Sequence, residues 1–324
     1  MRSEHGRKDA ATPPRRGHGK RLSFYQFGPT TMFASRADQR FSYCLYVPED
    51  YDEDGTDVYP LVVLVHGTGR DAQSYRDAFA GFARTHRCIV FAPLFPAGIG
   101  TPGELHNYKY LRYGDIRFDL LLLAMLEEVA ESYRVGTARF LLTGFSGGGH
   151  FTHRFLYTHP DRLLGASVGA PGVVTLPDEA RPWPAGIGGL REALGVTPDL
   201  EAIRAVPVQL VIGARDTETW EIGMGPEEPA WIKDVNDHGV DRQARMRALK
   251  AGLVGHGVAV RHDIVPGVAH ECRETLGPVR AFFAERLAAV RAAEPDGWTM
   301  DARTSPPESS ERAKALGRSR RDGT

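Results

Sequence analysis

The feature that most restricts what this chain can become is a series of short, uninterrupted apolar runs, each followed by a stretch of helical character. Leu61 to Val65 (LVVLV), Cys88 to Leu94 (CIVFAPL), Arg139 to Phe145 (RFLLTGF), Leu164 to Gly169 and Val206 to Ile212 (VPVQLVI) are strand-length. They lack the alternation of a strand with one wet face. Such strands are buried on both sides, which means a mainly parallel sheet covered by helices. Helices are expected over Asp71 to Thr85, with Asp71 as N-cap, and over Asp115 to Tyr133. In the second, Leu120 to Leu123, Met125, Leu126 and Val129 form a broad apolar surface that must be substantially buried. Further helices are expected from Ser146 to about Thr158, over Asp241 to Val254, and from about Arg273 to Ala292, with another strand over Val258 to Val265. Phe41 to Val47 alternates, as an antiparallel strand at one edge would. The fold class is therefore α/β. Right-handed crossovers line the strand C-termini along one rim, where open α/β sheets bind ligands.

Of 324 residues, Met1 to Arg21 and 294–324 are polar and rich in turn formers, and both are expected to be disordered. One domain over 22–293 remains, with 172–204 as a short cap insertion. Forty basic and 41 acidic residues give a net charge of −1, so no global field favours nucleic acid or an acidic membrane. Three scattered cysteines, Cys44, Cys88 and Cys272, make neither a disulfide framework nor a CxxC metal site, and read as reduced thiols. The basic start is not followed by the apolar segment of an export signal. The longest apolar run, Leu120 to Leu126, falls well short of the roughly 18 residues that cross a bilayer. A cytoplasmic location is expected.

The chemistry collects just after strand ends. Gly144-Phe145-Ser146-Gly147-Gly148 fits G-x-S-x-G between a strand and a helix. A serine on so sharp a turn needs glycine on both sides, because side chains there would strike the adjacent strand and helix. A phosphate loop is excluded, since no lysine follows Gly149.

Ser146 needs a base. Among twelve histidines, His270 lies in a loop between the last strand and last helix (PGVAHE) that can reach back over the rim. His66 ends a strand in a loop-shaping context. His150 and His153 are on the helix after Ser146, and as a His-x-x-His pair give only weak metal evidence. A carboxylate must orient the imidazole, and Asp216 follows a strand in a tight turn (VIGARD), with Glu218 as second candidate. Negative charge developing on a carbonyl oxygen would be received by the N–H of Gly147 and by that of Thr68 in His66-Gly67-Thr68-Gly69, with Gly69 in reserve.

Taken together, LVVLVHGTG, GFSGGG, VIGARD and GVAHE resemble the α/β-hydrolase superfamily over about Phe41 to Ala292. Within it the chain looks most like the esterases grouped with polyhydroxybutyrate depolymerases and feruloyl esterases. The resemblance implies ester hydrolysis through an acyl-enzyme, with Ser146, Asp216 and His270 in that chain order and without metal or organic cofactor. A peptidase or amidase of the same fold and a non-catalytic binding scaffold are the alternatives. The expected partner is a small-molecule ester, with self-association left open. Tyr108, Tyr113, Trp183 and Trp220 are the candidate substrate-facing aromatics.

Overall fold

Along the strand Leu61–Val65, consecutive side chains go to opposite sides of the sheet and both sides are core. Leu61, Val63 and Val65 join one apolar cluster, while Val62 and Leu64 join a second. This double burial is why the run has no polar alternation. The structure, a computed structural model, describes residues 21–220, 222–227, 231 and 234–293. The expectation of disorder at both ends falls outside them except at Arg21, whose backbone N–H is held by Glu53 at 2.8 Å.

In chain order the strands are β1 (Gly28–Pro29), β2 (Phe33–Ala34), β3 (Ser42–Val47), β4 (Leu61–Val65), β5 (Ile89–Leu94), β6 (Arg112–Tyr113), β7 (Ile116–Arg117), β8 (Phe140–Phe145), β9 (Leu163–Gly169), β10 (Val208–Gly213) and β11 (Val260–Val265). The helices are α1 (Ala72–Ala78), α2 (Ala80–His86), α3 (Phe118–Ala130), α4 (Gly147–Thr158), α5 (Leu190–Leu194), α6 (Leu200–Ala205), α7 (Arg242–Gly255) and α8 (Cys272–Ala293). The main sheet runs β1-β3-β5-β4-β8-β9-β10-β11, with β2 also on β3, and β6 and β7 form a separate hairpin. From β5 to β11 every pairing is parallel. One face packs on α3, α4 and α7 through residues such as Phe118, Met125, Phe151, Phe155 and Leu249. The other packs on α2 and α8 through Phe82, Phe282 and Phe283.

Strand order explains where the candidate residues concentrate. The chain leaves β4 for β5 on one side and later returns as β8 on the other. The loops after β4 and β8 therefore diverge at a topological switch point, the place where open α/β sheets bind ligands. The loop after β4 carries Thr68, and that after β8 carries Ser146.

Three local expectations are corrected. The helix expected over Asp71 to Thr85 is two helices, broken where Phe79 takes φ −101° and ψ 1°. Phe79 is buried, and its ring meets Phe82 and Phe283, so packing sets the bend. Asp71 does cap α1, accepting from the Ser74 N–H at 3.2 Å. The strand from Ser42 is antiparallel to β5 but is not an edge, because β1 and β2 pair with its other side. On α3, Leu120 is 48% exposed, whereas Leu121, Leu122, Met125, Leu126 and Val129 are buried. The segment 172–204 is anchored to α4: Tyr157 donates to the Thr175 carbonyl at 2.8 Å and Arg154 to the Thr175 hydroxyl at 2.9 Å.

Candidate active site

At the end of β8, Ser146 has φ 55° and ψ −113°, a conformation that L-residues avoid. Its N–H is held by the Gly169 carbonyl of the next strand at 2.8 Å, and its own carbonyl accepts from His150 N–H at 3.1 Å. Strand and helix thus over-determine the turn between them, as persistent backbone strain requires. The flanking glycines are steric necessities. A Cβ on Gly144 would come within 2.5 Å of Gly148 backbone atoms, and one on Gly148 within 2.1 Å of the Val65 carbonyl oxygen. The turn leaves Ser146 at the N-terminus of α4, whose unpaired N–H groups and dipole favour developing negative charge.

The two C-terminal strands bring Asp216 and His270 together. Beyond the β10–β11 ladder, Ala214 N–H bonds the Val265 carbonyl at 2.8 Å and Arg215 N–H the Val268 carbonyl at 2.7 Å. The two turns therefore leave the sheet side by side. Asp216 and His270 meet across them, with His270 Nδ1 2.6 Å from Asp216 Oδ2. Asp216 is wholly buried, and the His270 side chain is 26% exposed. With Nδ1–H donated to the carboxylate, Nε2 is the basic nitrogen. The imidazole also lies against the Phe145 ring, centroids 4.8 Å apart, which sets it beside the residue that precedes Ser146. Glu218, the second acid candidate, is exposed to solvent.

The loop after β4 closes on the turn that carries Ser146. A Cβ on Gly67 would lie 3.9 Å from Ser146 Cβ, and one on Gly147 would lie 3.0 Å from the Thr68 nitrogen. Thr68 N–H and the start of α4 are thus neighbours, the arrangement that two oxyanion donors need. His66 shapes the loop from within the core: Nδ1–H donates to the Gly67 carbonyl at 2.8 Å, and Nε2 accepts from Phe95 N–H at 3.0 Å. Arg70 clamps it from outside, donating to the Thr68 carbonyl at 2.5 Å, the Leu105 carbonyl at 2.8 Å and the Phe95 carbonyl at 3.3 Å. No sequence pattern marks Arg70 for this work, because its partners are mainly backbone carbonyls, two of them far along the chain.

The candidate aromatics separate. Tyr108 is fully buried and donates its hydroxyl to the His66 carbonyl at 2.9 Å. It holds the loop after β4 and presents no exposed surface, unlike the substrate-facing place expected of it. Tyr113 is half-buried and bonds Thr101 at 2.7 Å. Trp183 packs against the core, with the Arg154 guanidinium 5.7 Å from its ring centroid. Trp220 is 64% exposed. A surface cleft of about 310 Å³ opens instead between α1 and the start of α8. Its walls include Ser74, Tyr75, Ala78, Glu271, Cys272 and Leu276, so it adjoins the His270 loop. Tyr75 and Cys272 share this wall, and burial pushes the Cys272 thiol up to about 11, leaving it neutral at ordinary pH.

His150 and His153 are structural in this arrangement. His150 Nε2 accepts from Gly172 N–H at 2.9 Å and Val173 N–H at 3.2 Å. His153 accepts from Thr175 N–H at 3.0 Å and bonds the Gly149 carbonyl at 2.7 Å. Burial lowers both, and it pushes His66 down to about 4. Each acceptor bond would be lost on protonation. Below pH 6.5 the unfolded chain takes up a proton at His66 that the folded protein refuses until about pH 4. Stability is therefore lost as pH falls through that window, by about 3 kcal/mol from His66 alone. The melting temperature is expected to drop steeply between pH 6.5 and 4, and His66→Asn should show a shallower drop. An unchanged slope in that variant would contradict the assignment.

Parallel order, switch point, strained Ser146 and the His270–Asp216 pair across the last two strands decide the architecture. The chain has the α/β-hydrolase fold. Solved structures agree with it. A poly(aspartic acid) hydrolase from Sphingomonas sp. KT-1 is similar at 22% identity and TM-score 0.60, covering 78% of this chain and 97% of its own. A poly(3-hydroxybutyrate) depolymerase from Bordetella parapertussis gives 24% identity and 0.59, covering 77% and 88%. A fluorophosphonate-binding serine hydrolase from Staphylococcus aureus gives 16% identity and 0.53, covering 80% and 99%. No protein-family model and no curated protein sequence matches the chain. Within this α/β-hydrolase fold no described helix is long and apolar enough to cross a membrane.

Proposed function

We propose that the protein is a serine hydrolase that cleaves a carboxylic ester through an acyl-enzyme on Ser146. The observation that carries this reading is the 2.6 Å contact between His270 Nδ1 and buried Asp216, with the imidazole set against the residue before a strained serine. Ser146 Oγ attacks the ester carbonyl as His270 Nε2 takes its proton, and Asp216 stabilises the imidazolium. The carbonyl oxygen becomes an oxyanion received by the N–H groups of Gly147 and Thr68. The intermediate then expels the alcohol, which takes the proton from His270. Water, deprotonated by the same ring, releases the acid and restores Ser146.

The substrate is read as a small ester with a short acyl chain. Release of p-nitrophenol from a series of acyl esters tests both parts of the reading. Acetate and butyrate esters are expected to turn over fastest, ahead of long-chain esters and of matched anilides. Preference for long chains would contradict the substrate class, and faster anilide cleavage would favour an amidase.

A further inference from the structure

The first turn of α7 holds the acid turn from the side opposite His270. Arg242 Nη1 lies 3.2 Å from Asp216 Oδ1, while Gln243 Nε2 donates to the Gly213 carbonyl at 2.6 Å, the other end of the same turn. Asp241 caps the helix on the Ala244 N–H at 2.7 Å. Three features set Arg242 apart from a surface cation. It is 7% exposed, it is the first residue of its helix, and its Nε has no hydrogen-bond partner. The N-terminal end of a helix disfavours positive charge, so neither dipole nor solvation accounts for an arginine there. A buried guanidinium persists where an ion pair compensates its lost hydration. Here that counter-charge is the carboxylate bonded to His270.

We infer that Arg242 is a positioning residue of the proposed ester hydrolysis, fixing Asp216 Oδ1 so that Oδ2 faces His270 Nδ1. The carboxylate can rotate about its own bonds, and only one orientation presents an oxygen squarely to the imidazole. With one oxygen on Arg242 and the other on His270, it is gripped at both ends. The role rests on the reading of the site given above, and it acts on the chemical step without touching substrate.

The test is a double-mutant cycle on ester turnover. Arg242→Met is expected to lower kcat by about 10²-fold with KM nearly unchanged, the scale of a small misplacement of a reacting group. Arg242→Lys keeps the charge but lacks the planar fork, and should recover part of the loss. In an Asp216→Asn background, Arg242→Met should cost less than about twofold more, because the carboxylate it positions is gone. An Arg242→Met kcat within about threefold of wild type, or a full loss repeated in the Asn background, would overturn the inference. Should the methionine variant not fold, Arg242→Lys carries the same cycle, with reduced kcat alone and no further reduction in the Asn background as the expected result. Wild-type protein that hydrolyses no ester overturns the reading of the site, and this role with it. An active wild type beside an unaffected variant overturns the role of Arg242 alone.

Discussion

Ser146→Ala is expected to remove ester turnover by about 10⁶-fold, the loss seen when the nucleophile of a serine-hydrolase triad is deleted. The variant should fold. Ala occupies the same strained backbone, φ 55° and ψ −113°, and the bonds to Gly169 and His150 that hold the turn are backbone bonds. Ser146→Gly sharpens the point. Glycine relieves strain worth about 1–3 kcal/mol while losing about 0.5–1 kcal/mol of conformational entropy, so its melting temperature should equal or exceed that of wild type. An inactive protein of undiminished stability is expected in both cases, measured by p-nitrophenyl acetate turnover and thermal unfolding. Residual turnover within about tenfold of wild type would remove Ser146 from the chemistry.

Asp216→Asn should lower kcat by about 10⁴-fold, the scale of amidating the triad carboxylate of a serine protease. An amide can accept from His270 Nδ1–H through its oxygen, but it can also turn its NH₂ towards the ring and favour the wrong tautomer. The negative charge that stabilises the imidazolium is lost in either orientation. Stability should fall as well, since Arg242 is left buried against a neutral group. Glu218→Gln is the control. Glu218 is solvent-exposed, so its variant should stay within about twofold of wild type. A large loss there, with Asp216→Asn near normal, would transfer the acid role.

How much of this is legible in the sequence depends on how local the cause is. The parallel strands are legible because double burial leaves an uninterrupted apolar run such as LVVLV, and the Ser146 turn because glycine on both sides answers collisions with the adjacent strand and helix. The pairing of Asp216 with His270 is legible more indirectly, since each follows a strand end and neighbouring parallel strands deliver their turns to one rim. What the sequence conceals is set by contacts between distant segments. The break at Phe79 comes from rings on α2 and α8, and no proline or glycine announces it. Tyr108 sits in a loop of mixed polarity, and its burial follows from the His66 carbonyl that its hydroxyl meets. Trp220, close behind Asp216 in sequence, projects into solvent. Arg242 reads as an ordinary charge at a helix start, while its partner stands 26 residues earlier. Arg70 reads the same way, because side-chain-to-carbonyl bonds leave no pattern. Functional types at strand ends are visible early; the side chains that hold them still are not.

The most direct measurement is the site and extent of covalent capture by a fluorophosphonate probe, read by mass spectrometry of the intact protein and its peptides. One adduct per chain, on the peptide containing Ser146, is the predicted result, with none in Ser146→Ala and strongly slowed capture in His270→Ala. Folded wild-type protein that takes no label, or takes it on another residue, contradicts the account.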